Sequence, residues 1–217
     1  MSDTTMPDTS RHNSRYPGLN LGPSHGRADD KAEVVVFGFW VFLMSDLITF
    51  GILFATYVSM LNPMGLDGGP GPAELFDPTS VAIQTAFLLA SGLAFGRASI
   101  LMKHHHDQGR VVVWILTAAA LGAMFLFFEV RDLIAIAEKG GLPTRSGWLS
   151  AFWLLVGVHG LHVAGGIVWI VFAMGDFVIH GFDDTAKTRI SMLAVYWHFL
   201  DIVWVAILSV VFLAGLA

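Results

Sequence analysis

Five long apolar segments constrain this chain more than any other feature. They cover about residues 34–61, 81–102, 111–137, 148–175 and 190–216. A helix needs about 20 residues to cross a hydrocarbon core of ~30 Å, whereas a strand of a membrane barrel needs about half as many. Only 13% of the residues are charged, against about 25% in a typical soluble domain. The sequence therefore predicts an all-α integral membrane protein, built as a bundle of five transmembrane helices.

The segments divide the chain into two predicted parts. Residues 1–33 are polar, without apolar periodicity or the apolar core of a secretory signal, and we expect a flexible cytoplasmic tail there. Residues 34–217 form the transmembrane domain. The longest connection, 62–80, contains four prolines and is expected to be irregular. The other connections are short, which predicts that sequential helices pack as neighbours.

The distribution of Lys and Arg predicts the orientation, because cytoplasmic loops carry the excess of these residues. With the N-terminus inside, eight fall on the cytoplasmic side: Arg11, Arg15, Arg27, Lys31, Lys103, Arg110, Lys187 and Arg189. Only Lys139 and Arg145 fall outside. We expect a multi-pass protein of the bacterial inner membrane, with a cytoplasmic N-terminus and a periplasmic C-terminus.

Net charge and cysteine content exclude several classes of function. The formal net charge of −5 is not that of a nucleic-acid-binding protein. The chain has no cysteine, which excludes disulfides, thiolate metal sites and a thiolate-bridged copper centre.

Ionisable residues inside the apolar segments are the candidate functional groups, because the bilayer core penalises them. At 1.5 Å of rise per residue, Asp46 and Asp201 lie at similar depths, about 18 and 16 Å from the cytoplasmic ends of their helices. His162 and His198 are predicted to share one layer with them, and His159 lies one turn from His162. A polar belt across the first, fourth and fifth helices is therefore expected.

Three interpretations of this belt compete. The histidines could supply axial ligands to a b-type haem, although the spacing in "HGLH" differs from that of a metal-binding HExxH helix. The acids and histidines could relay protons, although Glu129 near the outer face leaves no continuous path to Asp46. We favour a structural role, in which they bond between helices at about 0.6 kcal/mol each. The glycines of the fourth helix would permit that close approach: Gly157, Gly160, Gly165 and Gly166.

Three further expectations concern individual residues. His198 and Asp201 share a helix face at i,i+3 spacing and are predicted to bond to the fourth helix. Arg97, near the cytoplasmic end of the second helix, can extend to the headgroups and hold a lipid phosphate. The run His104–His106 is read as an exposed polar turn.

Three motifs resemble a known family. These are "FGFWVFLMSDLITFGILFATY" (37–57), "RSGWLSAFWLLVGVHGLHVAGG" (145–166) and "YWHFLDIVWV" (196–205), which together look like subunit III of the haem–copper oxidases. Within that family, the chain resembles the cytochrome bo-type ubiquinol oxidases in its five helices and in the sequences "LMSD" and "RSGWLSAF". The cytochrome c oxidase branch typically has Glu where this chain has Asp46.

The resemblance implies a non-catalytic subunit of a proton-pumping terminal oxidase that reduces O2 to water. It implies no catalytic, cofactor-binding or metal-binding residue in this chain, with haems and copper in subunit I. It also implies subunits I, II and IV as partners and phospholipid bound in grooves. Three alternatives stay open: subunit III of an aa3-type cytochrome c oxidase, a stand-alone b-type cytochrome that uses His159 or His162 with His198, and a small transporter.

Overall fold

The computed structural model describes residues 26–103, 108–180, 184–213 and 215, with side chains from residue 34 onward except at 103, 178–180 and 184–185. Five long helices dominate it, with two one-turn helices between the first two of them. The elements are α1 (Gly26–Met60), α2 (Pro63–Leu66), α3 (Pro72–Leu75), α4 (Pro78–Lys103), α5 (Gln108–Glu138), α6 (Gly147–His180) and α7 (Asp184–Ile207). A six-residue π-helix, Leu208–Leu213, extends α7.

The prediction of five membrane-spanning helices is confirmed. Within the described residues, five stretches are long and apolar enough to cross a membrane: Val34–Met60, Pro78–Met102, Gln108–Glu138, Gly147–Phe177 and Ala186–Leu213. The first helix begins at Gly26, so it includes residues that the sequence assigned to the polar tail. Residues 1–25 and the His104–His106 run lie outside the described residues.

Four of the long helices form a closed ring, and the first lies outside it. In the ring α4 packs against α5, α5 against α6, α6 against α7, and α7 against α4. The remaining helix, α1, packs against α6 and α7. The expectation that sequential helices are neighbours therefore holds around the ring but not for α1, because the connection from α1 to α4 is long enough to cross the bundle.

The core of the ring is rich in aromatic side chains. Trp148, Trp197 and Trp204 are each at most 1% exposed. At the end where α6 begins, Phe76 packs against Phe152 with ring centroids 5.1 Å apart. Phe76 follows α3 directly, so the connection between α1 and α4 contributes to the core as well as linking the helices.

Candidate functional site

Asp46 and His162 form a polar contact between α1 and α6. His162 Nε2 lies 3.5 Å from Asp46 Oδ2, and both side chains are mostly buried. The Phe50 ring, one turn along α1, packs on the imidazole with centroids 5.3 Å apart. The Tyr196 hydroxyl of α7 donates to the backbone carbonyl of His162 at 2.9 Å. The peripheral helix is thus joined to the ring at a point where three helices meet.

The hydrogen bonding of His162 assigns its tautomer. Nδ1 lies 2.7 Å from the backbone carbonyl oxygen of Val158, which only accepts hydrogen bonds, so Nδ1 carries a proton. Nε2 then faces Asp46 with a lone pair when the ring is neutral, and donates when it is charged. At 3.5 Å the two atoms are within ion-pair distance, and Asp46 Oδ2 has no hydrogen-bond partner among the described residues.

His198 and Asp201 form a second pair, at the boundary between α7 and α4. His198 Nδ1 lies 3.3 Å from Asp201 Oδ2, and 48% of the His198 side chain is exposed, against 12% for Asp201. A Cβ atom at Gly92 would lie only 2.1 Å from Asp201 Oδ2. A Cβ at Gly96 would lie 3.8 Å from His198 Nε2, at ordinary contact distance.

The pair therefore faces a different helix from the one predicted. The two residues do bond to each other, but Asp201 packs on the backbone of α4 at Gly92 and not on α6. The reason is the ring order, in which α7 has α4 on one side and α6 on the other. His162 and His198 are accordingly held in two separate pairs.

Among the described residues, Glu129 is the acid with both carboxyl oxygens buried and unpartnered. It is 3% exposed, and neither carboxyl oxygen has a hydrogen-bond partner among the residues that the structure describes. A Cβ at Gly160 would lie 2.9 Å from Glu129 Oε1, so the carboxyl occupies the space that a side chain at that position would need. The glycine of α6 was predicted to permit close approach, and here it admits a carboxyl from α5.

His159 is enclosed by aromatic rings. It is fully buried, stacks on Trp204 with centroids 5.4 Å apart and meets the edge of Phe125 at 5.9 Å. Neither ring nitrogen has a hydrogen-bond partner among the described residues. The surroundings of His159 are those of a packed core side chain.

Two arginines lie near opposite ends of the bundle. Arg97 is exposed, and its guanidinium lies 5.8 Å from the centre of the Trp114 ring. Arg131 donates to Ser80 Oγ at 2.8 Å and pairs with Asp132 at 2.8 Å. Gln84 donates to the other Asp132 oxygen at 2.6 Å, so a polar network joins α4 to α5 beside Glu129.

These residues do not converge on a cofactor or metal site. His159 is packed among aromatic rings, His162 pairs with Asp46, and His198 pairs with Asp201 on another face of α7. Within the described residues, no group of three or more His, Cys, Asp or Glu side chains is arranged to hold a metal ion. The arrangement does not fit a haem bound between two of these histidines.

Small hydroxyl residues of α4 were missed by the sequence analysis. Ser91 donates to the Ala118 carbonyl at 2.8 Å and accepts from Trp197 Nε1 at 2.8 Å, which links α4, α5 and α7. Thr85 likewise accepts from Trp204 Nε1 at 3.0 Å. A buried Trp indole N–H usually finds an acceptor, so the tryptophans Trp197 and Trp204 were the available signal.

Comparison with known proteins decides the family. The sequence profile described as Cytochrome c oxidase subunit III matches residues 24–216. The chain belongs to the cytochrome c oxidase subunit III family. This confirms the resemblance inferred from the three motifs.

Individual members of the subunit III family are similar over most of their length. "Cytochrome bo(3) ubiquinol oxidase subunit 3" of Pseudomonas putida is 41% identical over 186 residues, which is 86% of this chain and 88% of that protein. The protein of the same name from Pseudomonas aeruginosa is 37% identical, over 90% of this chain and 92% of that protein. "Quinol oxidase subunit 3" of Bacillus subtilis is 35% identical, over 83% and 87% respectively.

Proposed function

We propose that this chain is subunit III of a haem–copper quinol oxidase, a respiratory complex that oxidises ubiquinol, reduces O2 to water and translocates protons. The observation that carries the proposal is the set of relatives named ubiquinol or quinol oxidase subunit 3, which are 35–41% identical over more than four fifths of this chain. The "LMSD" and "RSGWLSAF" motifs support the same branch.

The role proposed for this chain is non-catalytic. His159 packs among aromatic rings, and His162 and His198 each lie beside an aspartate, so we assign electron transfer, haem binding and copper binding to subunit I. The Asp46–His162 contact joins α1 to α6. Asp201, which bonds to His198 within α7, packs on α4 at Gly92. Polar contacts between helices stabilise a membrane bundle by about 0.6 kcal/mol on average and by up to nearly 2.

Partner and lipid contacts are proposed for the outer faces of the bundle. The outward face of α1 is apolar, with Phe37, Ile48 and Ile52 each more than 60% exposed. Such a face suits lipid tails or the spanning helices of subunits I, II and IV. Arg97 is exposed near the C-terminal end of α4, at the end of the bundle opposite to the one where Arg131 lies. It is suited to hold a lipid phosphate.

The proposed location is the bacterial inner membrane, with the N-terminus in the cytoplasm and the C-terminus in the periplasm. The bias of Lys and Arg supports this orientation. Reporter fusions test it: the connection 62–80 should report a periplasmic location, and the connection between α6 and α7 a cytoplasmic one. A cytoplasmic signal from the first connection, or a periplasmic signal from the second, would overturn the orientation.

Purification through an affinity tag on this chain tests the function. We expect copurification of a haem-containing subunit I, and O2 consumption that is supported by ubiquinol and not by reduced cytochrome c. Oxidation of cytochrome c, with a copper-bearing, cysteine-containing subunit II, would instead assign the chain to an aa3-type cytochrome c oxidase.

The visible spectrum tests the non-catalytic role. The isolated chain should show no stoichiometric Soret band, and His198→Ala should leave the haem spectrum of the complex unchanged. A Soret band in the isolated chain that disappears in His198→Ala would support a stand-alone b-type cytochrome. Uptake of a solute by the purified chain alone would support a transporter.

A further inference from the structure

A cavity of about 290 Å³ lies between the connection that follows α3 and the C-terminal half of α5. Its outer wall includes the exposed residues Asp77, Ala135 and Lys139. Its inner wall includes Glu129 and Trp204, which are almost completely buried. The cavity therefore runs inward from the end of the bundle to the isolated carboxyl.

The distances make this a deep passage. Glu129 lies nine residues before Glu138, the last residue of α5, which corresponds to about 14 Å of rise, and Lys139 follows directly. The cavity is large enough for several water molecules, each of which occupies about 30 Å³ in the liquid. The passage therefore reaches a depth in the bundle at which a carboxyl facing lipid would have no water or polar group to bond to.

The walls of the cavity supply polar groups along this depth. Besides Glu129, the charged groups that face it are Asp77 before α4, Arg131 and Asp132 on α5, and Lys139 directly after α5. Gln84 of α4 also lines it. His159, adjacent to Gly160 on α6, stacks on the inner-wall Trp204 and is the titratable group nearest in sequence to the glycine that contacts Glu129.

Glu129 needs hydrogen-bond partners that the described protein atoms do not provide. Both of its oxygens are buried and without a donor among the described residues, and the carboxyl packs against Gly160, in the space that a side chain there would need. Buried polar groups in proteins are satisfied by protein or by ordered water. A cavity with polar groups on its walls and an open outer end provides access for that water.

We propose that this cavity is a water-filled passage that connects Glu129 to the aqueous side on which Lys139 lies, and that Glu129 binds and exchanges a proton through it. The ligand of the site is water with an exchangeable proton. The passage is separate from the Asp46–His162 contact, which involves α1 and not α5. It does not depend on which electron donor the complex uses.

Cysteine accessibility tests the passage, because the chain has no cysteine of its own. In whole cells or spheroplasts, Glu129→Cys, Val130→Cys and Lys139→Cys are treated with a small, charged, membrane-impermeant methanethiosulfonate. Val130 is a matched control, since it lies at the same depth and is 49% exposed on the outer surface of the helix. Retention of each variant in the complex shows that it has folded.

The passage predicts that Glu129→Cys is labelled from the same side as Lys139→Cys. Labelling should be at least about tenfold faster than that of Val130→Cys, because the reactive thiolate forms only where water reaches the sulfur. Adding Ala135→Trp, which places a large side chain at the outer wall, should reduce the labelling of Glu129→Cys and leave that of Lys139→Cys unchanged. Labelling of Glu129→Cys no faster than Val130→Cys, or only from the opposite side, would overturn the proposal.

Infrared spectroscopy of the complex tests the proton itself, without a cysteine. Transfer to D2O should shift a carboxylic acid C=O band that is absent in Glu129→Gln, and Ala135→Trp should slow that shift. A band that persists in Glu129→Gln, or one that does not exchange in the unmodified complex, would contradict proton exchange at this residue.

Discussion

Replacement of Gly92 by alanine tests the packing of the His198–Asp201 pair on α4. The added Cβ would lie 2.1 Å from Asp201 Oδ2 and 3.0 Å from its Cγ, whereas non-bonded heavy atoms are comfortable at about 3.5–4.0 Å. The aspartate must therefore rotate away and lose its 3.3 Å contact with His198. Gly96→Ala, one turn along the same helix, is the matched control, because its Cβ would lie 3.8 Å from His198 Nε2.

The expected magnitude follows from two opposing effects. Leaving the buried Asp201 carboxyl without its partner costs about 1–3 kcal/mol. Glycine to alanine favours an α-helix by up to about 1 kcal/mol, which offsets part of that cost. We expect Gly92→Ala to lower the free energy of unfolding by roughly 1–2 kcal/mol, and Gly96→Ala to leave it unchanged or raise it by up to about 1 kcal/mol.

Equilibrium unfolding of the detergent-solubilised chain by SDS, followed by tryptophan fluorescence, measures this difference. A double-mutant cycle with Asp201→Ala isolates the contact, since the cost of Gly92→Ala should disappear once the carboxyl is absent. Equal stability of Gly92→Ala and Gly96→Ala would refute the reasoning. A cost that persists in the Asp201→Ala background would refute it as well.

Two further predictions concern contacts between other helices. Ser91→Ala removes an acceptor from the Trp197 indole and should destabilise the chain by about 1–3 kcal/mol in the same titration, whereas Ser209→Ala, which loses only an exposed bond within its own helix, should change little. Asp46→Asn should retain most of the stability because an amide can donate to His162 Nε2, and Asp46→Leu should cost roughly 1–3 kcal/mol by leaving that nitrogen without a partner. Equal retention of Asp46→Leu and Asp46→Asn in the purified complex would argue against the contact.

The sequence predicted the five spanning helices because hydropathy and length determine them. It also placed Asp46 and His162 at compatible depths, since helical rise is constant. The neighbours of each helix were less accessible. Short loops correctly suggested the order around the ring, but the long connection after Met60 permits α4 to lie away from α1.

The partner of Asp201 could not be derived from spacing alone. Residues at i,i+3 share a face of α7, but which helix covers that face depends on the closure of the ring. Gly92 and Gly96 are a small-residue pair at a spacing typical of close helix contacts, and they were the unused signal. The packing of the Glu129 carboxyl against Gly160 could not be predicted either. A glycine shows that space is available beside a helix, but it does not show which side chain fills that space.

The peripheral position of α1 has a consequence for synthesis. This helix enters the membrane first, whereas α6 and α7, against which it packs, are made last. Roughly 90 residues separate Met60 from the start of α6, which at about 5–20 residues per second means a delay on the order of ten seconds. Throughout that interval Asp46 lies in the bilayer before His162 exists, so the contact between α1 and α6 forms only after α6 has been made.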